Sequence, residues 1–235
     1  MMDLGNYMKK EGRALPVFLL VDVSGSMKGE KIETVNIALK EMLNTFKKIE
    51  NPKGVIELCI MAFGNQSVQV IKPLSKIADS DQYDFTADGS TPMGMAFESV
   101  AEMIEDYTVV SRRAYTPTIV LISDGNPTDF SGYNDNTSQD DIYGWPALKK
   151  LQNGERSARA TRLAMGIGND LDLRILKAFV NNEEIPVIKA RDNDTIAKFF
   201  KWVTMSISVR SVSVNPDIPV VSSTEDLFDK GEIEF

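Results

Sequence analysis

Three short stretches of the sequence concentrate hydroxyl and carboxylate side chains. They span residues 22–26 (DVSGS), 88–92 (DGSTP) and 123–127 (SDGNP). In the first stretch, the alternation of residues lets Asp22, Ser24 and Ser26 face one point. Oxygen donors without nitrogen or sulfur suit a hard cation, Mg²⁺ or Mn²⁺, with Ca²⁺ as the less suitable alternative. The candidate metal ligands are Asp22, Ser24, Ser26, Thr91 and Asp124.

The balance of charges among these ligands suggests how a bound cation would act. Mg²⁺ prefers six oxygen ligands and gives up water reluctantly, so three hydroxyls and two carboxylates leave at least one position to water. If both carboxylates act through bridging water, the direct ligands are neutral and the ion remains a strong electrophile. An Asp or Glu side chain of another protein can then take the open position. We therefore expect a binding site with no catalytic residue and no organic cofactor.

Alternating strands and helices must position these stretches. Apolar runs at 17–21, 55–63, 118–122, 160–167 and 187–188 predict strands, and 67–74 predicts a hairpin partner for 55–63, joined through Gly64, Asn65 and Gln66. Apolar residues at helical spacing predict helices over 32–46, 93–107, 173–179 and 196–207. This order predicts an α/β, doubly wound (Rossmann-like) fold: a mostly parallel sheet with one antiparallel edge strand and helices on both faces.

The predicted topology also places the candidate ligands. In open parallel sheets, ligands bind at the carboxyl ends of the strands. If the strands at 17–21 and 118–122 are neighbours, Asp22 and Asp124 lie side by side. All three oxygen-rich stretches then belong to one edge of the sheet.

Composition excludes several classes of function. The chain has 235 residues, a formal net charge of -8 and no histidine. The negative charge disfavours nucleic acid as a partner, and the absence of histidine removes histidine-based triads and the usual zinc sites. The single cysteine, Cys59, lies in an apolar run and is predicted to be a buried thiol; without an internal disulfide the chain suits a reducing cytoplasm.

No apolar run is long enough to predict a membrane-spanning helix. The best candidate for a signal peptide is Lys9-Lys10 followed by Leu15–Val21, but this run is short and Asp22 interrupts it. We therefore expect a cytoplasmic protein without membrane contact.

The metal-ligand pattern resembles a known family. Asp22-x-Ser24-x-Ser26, followed by Thr91 and Asp124, is similar to the metal-ion-dependent adhesion site of von Willebrand factor type A (vWA) domains. The resemblance covers roughly residues 13–210 and implies a divalent cation that binds a carboxylate of a protein partner. Within the family, residues 15–17 (LPV) and 124–129 (DGNPTD) are most similar to bacterial TerY-type proteins. That similarity implies a role in tellurite resistance, stress or phage defence, with a protein phosphatase or a protein kinase from the same operon as partner.

The predicted domain organisation has three parts. Residues 1–12 form an N-terminal extension, 13–210 the vWA-like domain, and 211–235 an acidic C-terminal tail. We interpret the tail as flexible, with a docking peptide that adds a strand to another protein as the alternative. The polar excursion 126–157 is expected to lie at the rim of the metal site and to select partners, while Trp145 and Leu148 anchor a helix to the sheet.

A different function remains open from the same residues. Asp22 after a strand also begins the D-x-D-x-[TV] pattern of Mg²⁺-dependent phosphoryl-transfer enzymes, but Ser24 replaces its second aspartate. No phosphate-binding G-x-x-x-x-G-K-[ST] motif is present either. Turn and capping roles explain each oxygen-rich residue taken singly, including Asp88, for which a turn role is favoured over contact with a metal ligand.

Overall fold

The computed structural model describes residues 12–49, 53–78, 81–168 and 171–235. Its seven strands are β1 (Arg13–Asp22), β2 (Gly54–Gly64), β3 (Ser67–Lys76), β4 (Thr118–Ser123), β5 (Thr161–Ile167), β6 (Val187–Ala190) and β7 (Ile233–Glu234). Its six helices are α1 (Glu30–Lys47), α2 (Met93–Glu105), α3 (Gln139–Gly144), α4 (Pro146–Asn153), α5 (Arg174–Val180) and α6 (Asn193–Val212). Apart from residue 12, the N-terminal extension lies outside the described residues, and so does the Lys9-Lys10 pair.

All seven strands form one sheet in the order β3-β2-β1-β4-β5-β6-β7. The five central strands are parallel, and β3 is the expected antiparallel edge strand. This confirms the predicted fold class. The two-residue β7 was not predicted; it pairs antiparallel with β6 and covers the other edge.

Each helix buries the face on which the sequence spaces its apolar residues. The α1 residues buried in the core, spaced three or four apart, are Ile32, Val35, Ala38, Leu39, Met42, Leu43 and Phe46. α1 packs against α6, and α2 packs against α4. The predicted stripe of α2 extends one turn too far, because Tyr107 lies beyond the helix and its side chain is 42% exposed.

The β2–β3 hairpin turns through Asn65 and Gln66, whose φ angles are 48° and 60°. Two successive left-handed residues make the tight two-residue turn that matches the twist of antiparallel strands. The turn also approaches the oxygen-rich loop at 88–92: the N–H of Gln66 donates to Ser90 Oγ at 3.0 Å.

The C-terminal segment packs on its own domain, which corrects our interpretation of a flexible tail. The indole N–H of Trp202 on α6 donates to the carbonyl of Ser222 at 2.7 Å, and Phe228 is 6% exposed against the same ring. Ile233 then pairs with Ile188 of β6. Apolar residues spaced along the acidic sequence explain the difference, and the added strand completes the chain's own sheet.

The excursion after β4 contains two helices, α3 and α4, rather than a single anchoring helix. Leu148 is fully buried, as expected. Trp145 stacks on Phe130 with ring centroids 4.8 Å apart and meets Phe97 of α2 edge-on at 5.7 Å. The tryptophan therefore fixes the excursion to α2, which itself covers the sheet.

Candidate functional site

The three oxygen-rich loops meet at the carboxyl edge of the sheet. β1 and β4 are parallel neighbours, with Val21 level with Ile122, so the next residues along each chain leave the sheet side by side. The chain turns from β1 towards β2 and from β4 towards β5, in opposite directions. A crevice forms at such a reversal of strand order, and ligands bind there in this class of fold.

Asp22 forms the buried base of the site and is fully inaccessible to solvent. Its Oδ1 accepts from the N–H of Ser24 at 2.8 Å, and its Oδ2 accepts from the hydroxyl of Ser123 at 2.5 Å. Burial raises the pKa of Asp22, the hydrogen bonds from Ser123 and Ser24 oppose that shift, and the nearby charge of Asp124 adds to it. A cation beside this carboxylate would offset the cost of burying its charge.

Ser24, Ser26 and Asp124 continue the site in one chain of contacts. The hydroxyls of Ser24 and Ser26 are 3.1 Å apart, and Ser26 Oγ donates to Asp124 Oδ1 at 2.6 Å. The other oxygen of Asp124 accepts from the ammonium of Lys31 at 2.5 Å, and Lys31 Nζ also donates to the carbonyl of Ser26 at 3.1 Å. A positive charge therefore already lies against the carboxylate that we predicted to face a cation.

Thr91 enters from the second loop and is 5% exposed. Its backbone is held by Thr128: the N–H of Thr91 donates to Thr128 Oγ1 at 3.1 Å, and the N–H of Thr128 donates to the Thr91 carbonyl at 3.0 Å. Among the residues that the structure describes, its hydroxyl has no hydrogen-bond partner. A Cβ on Gly125 would stand 3.6 Å from Thr91 Oγ1 and 3.9 Å from Ser26 Oγ. A glycine thus leaves space beside both hydroxyls.

The loops are also tied to one another by their backbones. The N–H of Gly25 donates to the carbonyl of Gly89 at 2.9 Å, and the N–H of Asp88 donates to the carbonyl of Val23 at 2.7 Å. Gly89 has a φ of 73°, and a Cβ there would stand 2.7 Å from the Cα of Asn65. Only glycine fits where the hairpin turn presses on this loop.

The structure thus joins Asp22, Ser24, Ser26 and Asp124 in one network and brings Thr91 to the same edge. Asp88 instead lies outside: its side chain is 74% exposed and forms an ion pair with Lys28 at 2.8 Å. Sequence reasoning missed three contributors, namely Lys31, Ser123 and Asp129. Asp129 accepts from the N–H groups of Gly94 and Met95 at the start of α2.

The donor set fits a hard divalent cation. It consists of three hydroxyls and two carboxylates, with one hydroxyl unpaired in the described structure and a glycine clearing the space beside it. In the described part of the chain, no group of three or more His, Cys, Asp or Glu side chains is arranged to hold a metal ion. When bound, the cation would supply an electrophilic position for an anionic oxygen.

Comparison with known proteins gives the family. A model of the von Willebrand factor type A domain matches residues 17–202. The chain therefore belongs to the vWA domain family. Among curated proteins, none matches the chain by sequence.

Solved structures share the fold at low sequence identity. A vWA protein from Catenulispora acidiphila is 20% identical with a TM-score of 0.61, over 83% of this chain and 42% of that one. The pilus adhesin SpaC from Lactobacillus rhamnosus GG is 14% identical with a TM-score of 0.64, over 86% of this chain and 31% of the adhesin. Proximal thread matrix protein 1 from the mussel byssus, solved with a zinc-occupied MIDAS motif, is 16% identical with a TM-score of 0.57, over 84% of this chain and 48% of that protein. The chain spans less than half the length of each neighbour, and the likeness shows the fold alone.

Within the described residues, no helix is both long enough and apolar enough to cross a bilayer.

Proposed function

We propose that this chain is a non-catalytic protein-binding module that holds one divalent cation, Mg²⁺ or Mn²⁺, at Asp22, Ser24, Ser26, Thr91 and Asp124. The cation grips an Asp or Glu carboxylate of a partner protein. The observation that carries the proposal is the network joining Asp22, Ser24, Ser26 and Asp124 at the switch point of the sheet. Family membership and the zinc-occupied MIDAS motif of the byssus protein support the same chemistry.

The electrostatics of the site favour binding over reaction. Both oxygens of Asp22 accept hydrogen bonds and the residue is fully buried, so attack on a phosphoryl group would require the carboxylate to give up a hydrogen bond and become exposed. That geometry disfavours the alternative of Mg²⁺-dependent phosphoryl transfer. Hydroxyl ligands leave most of the cation's charge available for an anionic oxygen of the partner.

The excursion at 126–157 is the proposed selector of partners. It begins directly after Asp124, and its aromatic residues hold it close to the same edge of the sheet. Tyr133 donates to Asp172 at 2.5 Å, and Arg174 Nη1 donates to the carbonyl of Thr137, also at 2.5 Å. Both contacts tie the excursion to the loop after β5, so it presents a fixed surface beside the cation.

The cellular setting belongs to the same proposal. Resemblance to TerY-type proteins supports a cytoplasmic role in bacterial stress, tellurite resistance or phage defence, with a phosphatase or kinase from the same operon as partner. Cys59 is buried and unpaired, and burial raises its thiol pKa to about 12, which suits a structural thiol in a reducing compartment.

Calorimetry with Mg²⁺ and Mn²⁺ tests the metal site. The wild type should bind one ion with a dissociation constant between about micromolar and about millimolar. Asp22→Ala should abolish the binding while its circular dichroism spectrum stays unchanged. Asp88→Ala is the matched control, because this exposed aspartate lies on a neighbouring loop outside the network. Unchanged metal binding in Asp22→Ala would refute the assignment of the site.

Capture of a partner tests the function itself. Full-length protein should retain a candidate operon partner in Mg²⁺ and release it on addition of a chelator. Substituting the partner's exposed acidic residues one at a time should identify the gripped carboxylate. Phosphatase or nucleotide hydrolysis that disappears in Asp22→Ala would instead establish the enzymatic alternative.

A further inference from the structure

A cleft rich in arginine lies at the amino-terminal ends of the strands, opposite the candidate metal site. Four of the nine arginines of this acidic chain line it, namely Arg13, Arg112, Arg156 and Arg159. The cleft has a volume of about 500 Å³. β1 separates it from the metal site, since Arg13 begins the strand that Asp22 ends, a distance of about 30 Å at roughly 3.3 Å per residue.

Tyrosine rings hold several of these guanidinium groups in place. Arg13 lies over the ring of Tyr115, 3.9 Å from its centroid. Arg112 lies over Tyr107 at 4.1 Å, with Arg156 5.1 Å from the same ring. Stacking fixes the planar groups before any ligand arrives, which reduces the entropy lost on binding.

Most hydrogen bonds of these arginines go to carbonyl groups, and the charge of Glu105 lies near Arg156. Arg156 donates to the carbonyls of Ile104 and Val110 at 2.8 Å and 2.7 Å. Carbonyl partners satisfy N–H groups but carry no formal charge. Arg112 has no acceptor or carboxylate among the residues that the structure describes, and Arg159 uses only its Nε, on the carbonyl of Glu155.

One carboxylate of the chain already shows what the cleft accepts. Asp217 accepts from the N–H of Thr116 at 3.0 Å and from its hydroxyl at 3.3 Å, and Arg13 Nη2 lies 3.5 Å away. Glu155 is the other acidic residue of the lining, so four arginines face two carboxylates.

We propose that this cleft is a second binding site, for an acidic segment of a protein partner, and that it works without metal. Arg112 and Arg159 bind two carboxylates of the segment through their free N–H groups, in the paired geometry that guanidinium and carboxylate share. The aliphatic part of the segment lies along Tyr107. The module then binds acidic side chains at both edges of its sheet, through a cation at one and through arginines at the other.

Fluorescence anisotropy with the full-length chain in excess chelator tests this site. The probe is a short labelled peptide in which glutamate alternates with serine, and its matched control has glutamine in place of glutamate. We expect saturable binding of the glutamate peptide only, weakened at least about ten-fold in the Arg112→Gln/Arg159→Gln double variant. Arg191→Gln is the matched control, because Arg191 is an exposed arginine directly after β6, at the opposite edge of the sheet.

Several outcomes would overturn the proposal. They are equal binding by the double variant, no saturable binding by the wild type at low ionic strength, and equal binding of the glutamine peptide. Tighter binding of pyrophosphate or of a single-stranded oligonucleotide at the same arginines would assign another class of ligand. The single variant Arg112→Gln guards against misfolding, since its guanidinium forms no hydrogen bond within the described structure. Because the chelator removes any cation, loss of the metal site in Asp22→Ala leaves this result unchanged.

Discussion

The two ends of the parallel strands carry side chains of opposite charge, and the helices explain the segregation. At the carboxyl edge, an acidic side chain meets a helix N-terminus: Asp129 accepts from the first N–H groups of α2. At the amino edge, arginines meet helix C-termini: Arg156 donates to the carbonyl of Ile104 in the last turn of α2. Helix dipoles favour this arrangement at both ends. The fold therefore stabilises acidic side chains at one edge and arginines at the other.

Asp124→Ala should give the largest difference between the two proposed sites. Loss of this carboxylate should abolish Mg²⁺ binding in calorimetry, because Asp124 is one of the two carboxylates of the proposed donor set and accepts from the hydroxyl of Ser26. Binding of the glutamate peptide at the arginine cleft should stay within about two-fold of the wild type, since sites this far apart are usually additive. The Arg112→Gln/Arg159→Gln variant should show the reverse pattern. Loss of both activities in either variant would contradict two independent sites.

Arg156 should matter more for stability than for either binding site. Arg156→Met keeps the apolar stem and removes hydrogen bonds to the carbonyls of Ile104, Val110 and Ser111. We expect urea unfolding to show a loss of about 2–3 kcal/mol, the usual cost of hydrogen bonds to a charged group. Arg159→Met, at an exposed neighbouring arginine, is the control and should cost less than about 1 kcal/mol. Equal losses of unfolding free energy in the two variants would show that the hydrogen bonds of Arg156 do not stabilise this part of the fold.

Lys31 should weaken cation binding at the carboxyl edge. Its ammonium lies 2.5 Å from Asp124, whose side chain is fully buried, so a metal must bind against a resident positive charge. Lys31→Met should tighten Mg²⁺ binding several-fold, on the order of 1 kcal/mol after screening at this partly exposed position. Lys28→Met, which breaks only the exposed pair with Asp88, should change the affinity little. Weaker binding in Lys31→Met would mean that the lysine supports the site instead.

Acid should weaken the contact between the excursion and the start of α5. Burial alone would raise the pKa of Asp172, but hydrogen bonds from Arg174 and Tyr133 lower it to about 2. A carboxyl whose pKa is lower in the folded state stabilises the fold above its unfolded pKa of about 3.9. That contribution should disappear as the pH falls from about 4 to about 2. Urea unfolding across this range should show a smaller decrease in Asp172→Asn than in the wild type; equal decreases would contradict the assignment.

Local patterns in the sequence predicted the fold and the candidate ligands. Continuous apolar runs identified six strands, and oxygen-rich loops after β1 and β4 identified Asp22 and Asp124 before their strands were known to be neighbours. Spacing alone could not reveal Lys31, because a lysine in the first turn of a helix resembles any other surface lysine in sequence. Its contact with Asp124 depends on the orientation of α1 relative to the site.

Contacts that join distant parts of the chain also escaped prediction. The strand β7 and the packing of Phe228 depend on tertiary contacts of an acidic segment whose composition favours disorder. The arginine cleft likewise draws Arg13, Arg112 and Arg159 from three separate segments of the chain. No local pattern in the sequence predicts that these three side chains lie together.

The positions of the two tryptophans give the protein a pair of separate optical reporters. Trp145 stacks on Phe130 in the excursion beside the metal edge, whereas Trp202 lies under the C-terminal segment with its indole N–H on Ser222. In Trp202→Phe, emission would follow only the excursion, and in Trp145→Phe only the segment that covers α6. A stopped-flow trace from each variant would then time the arrival of a partner at one layer of the molecule independently of the other.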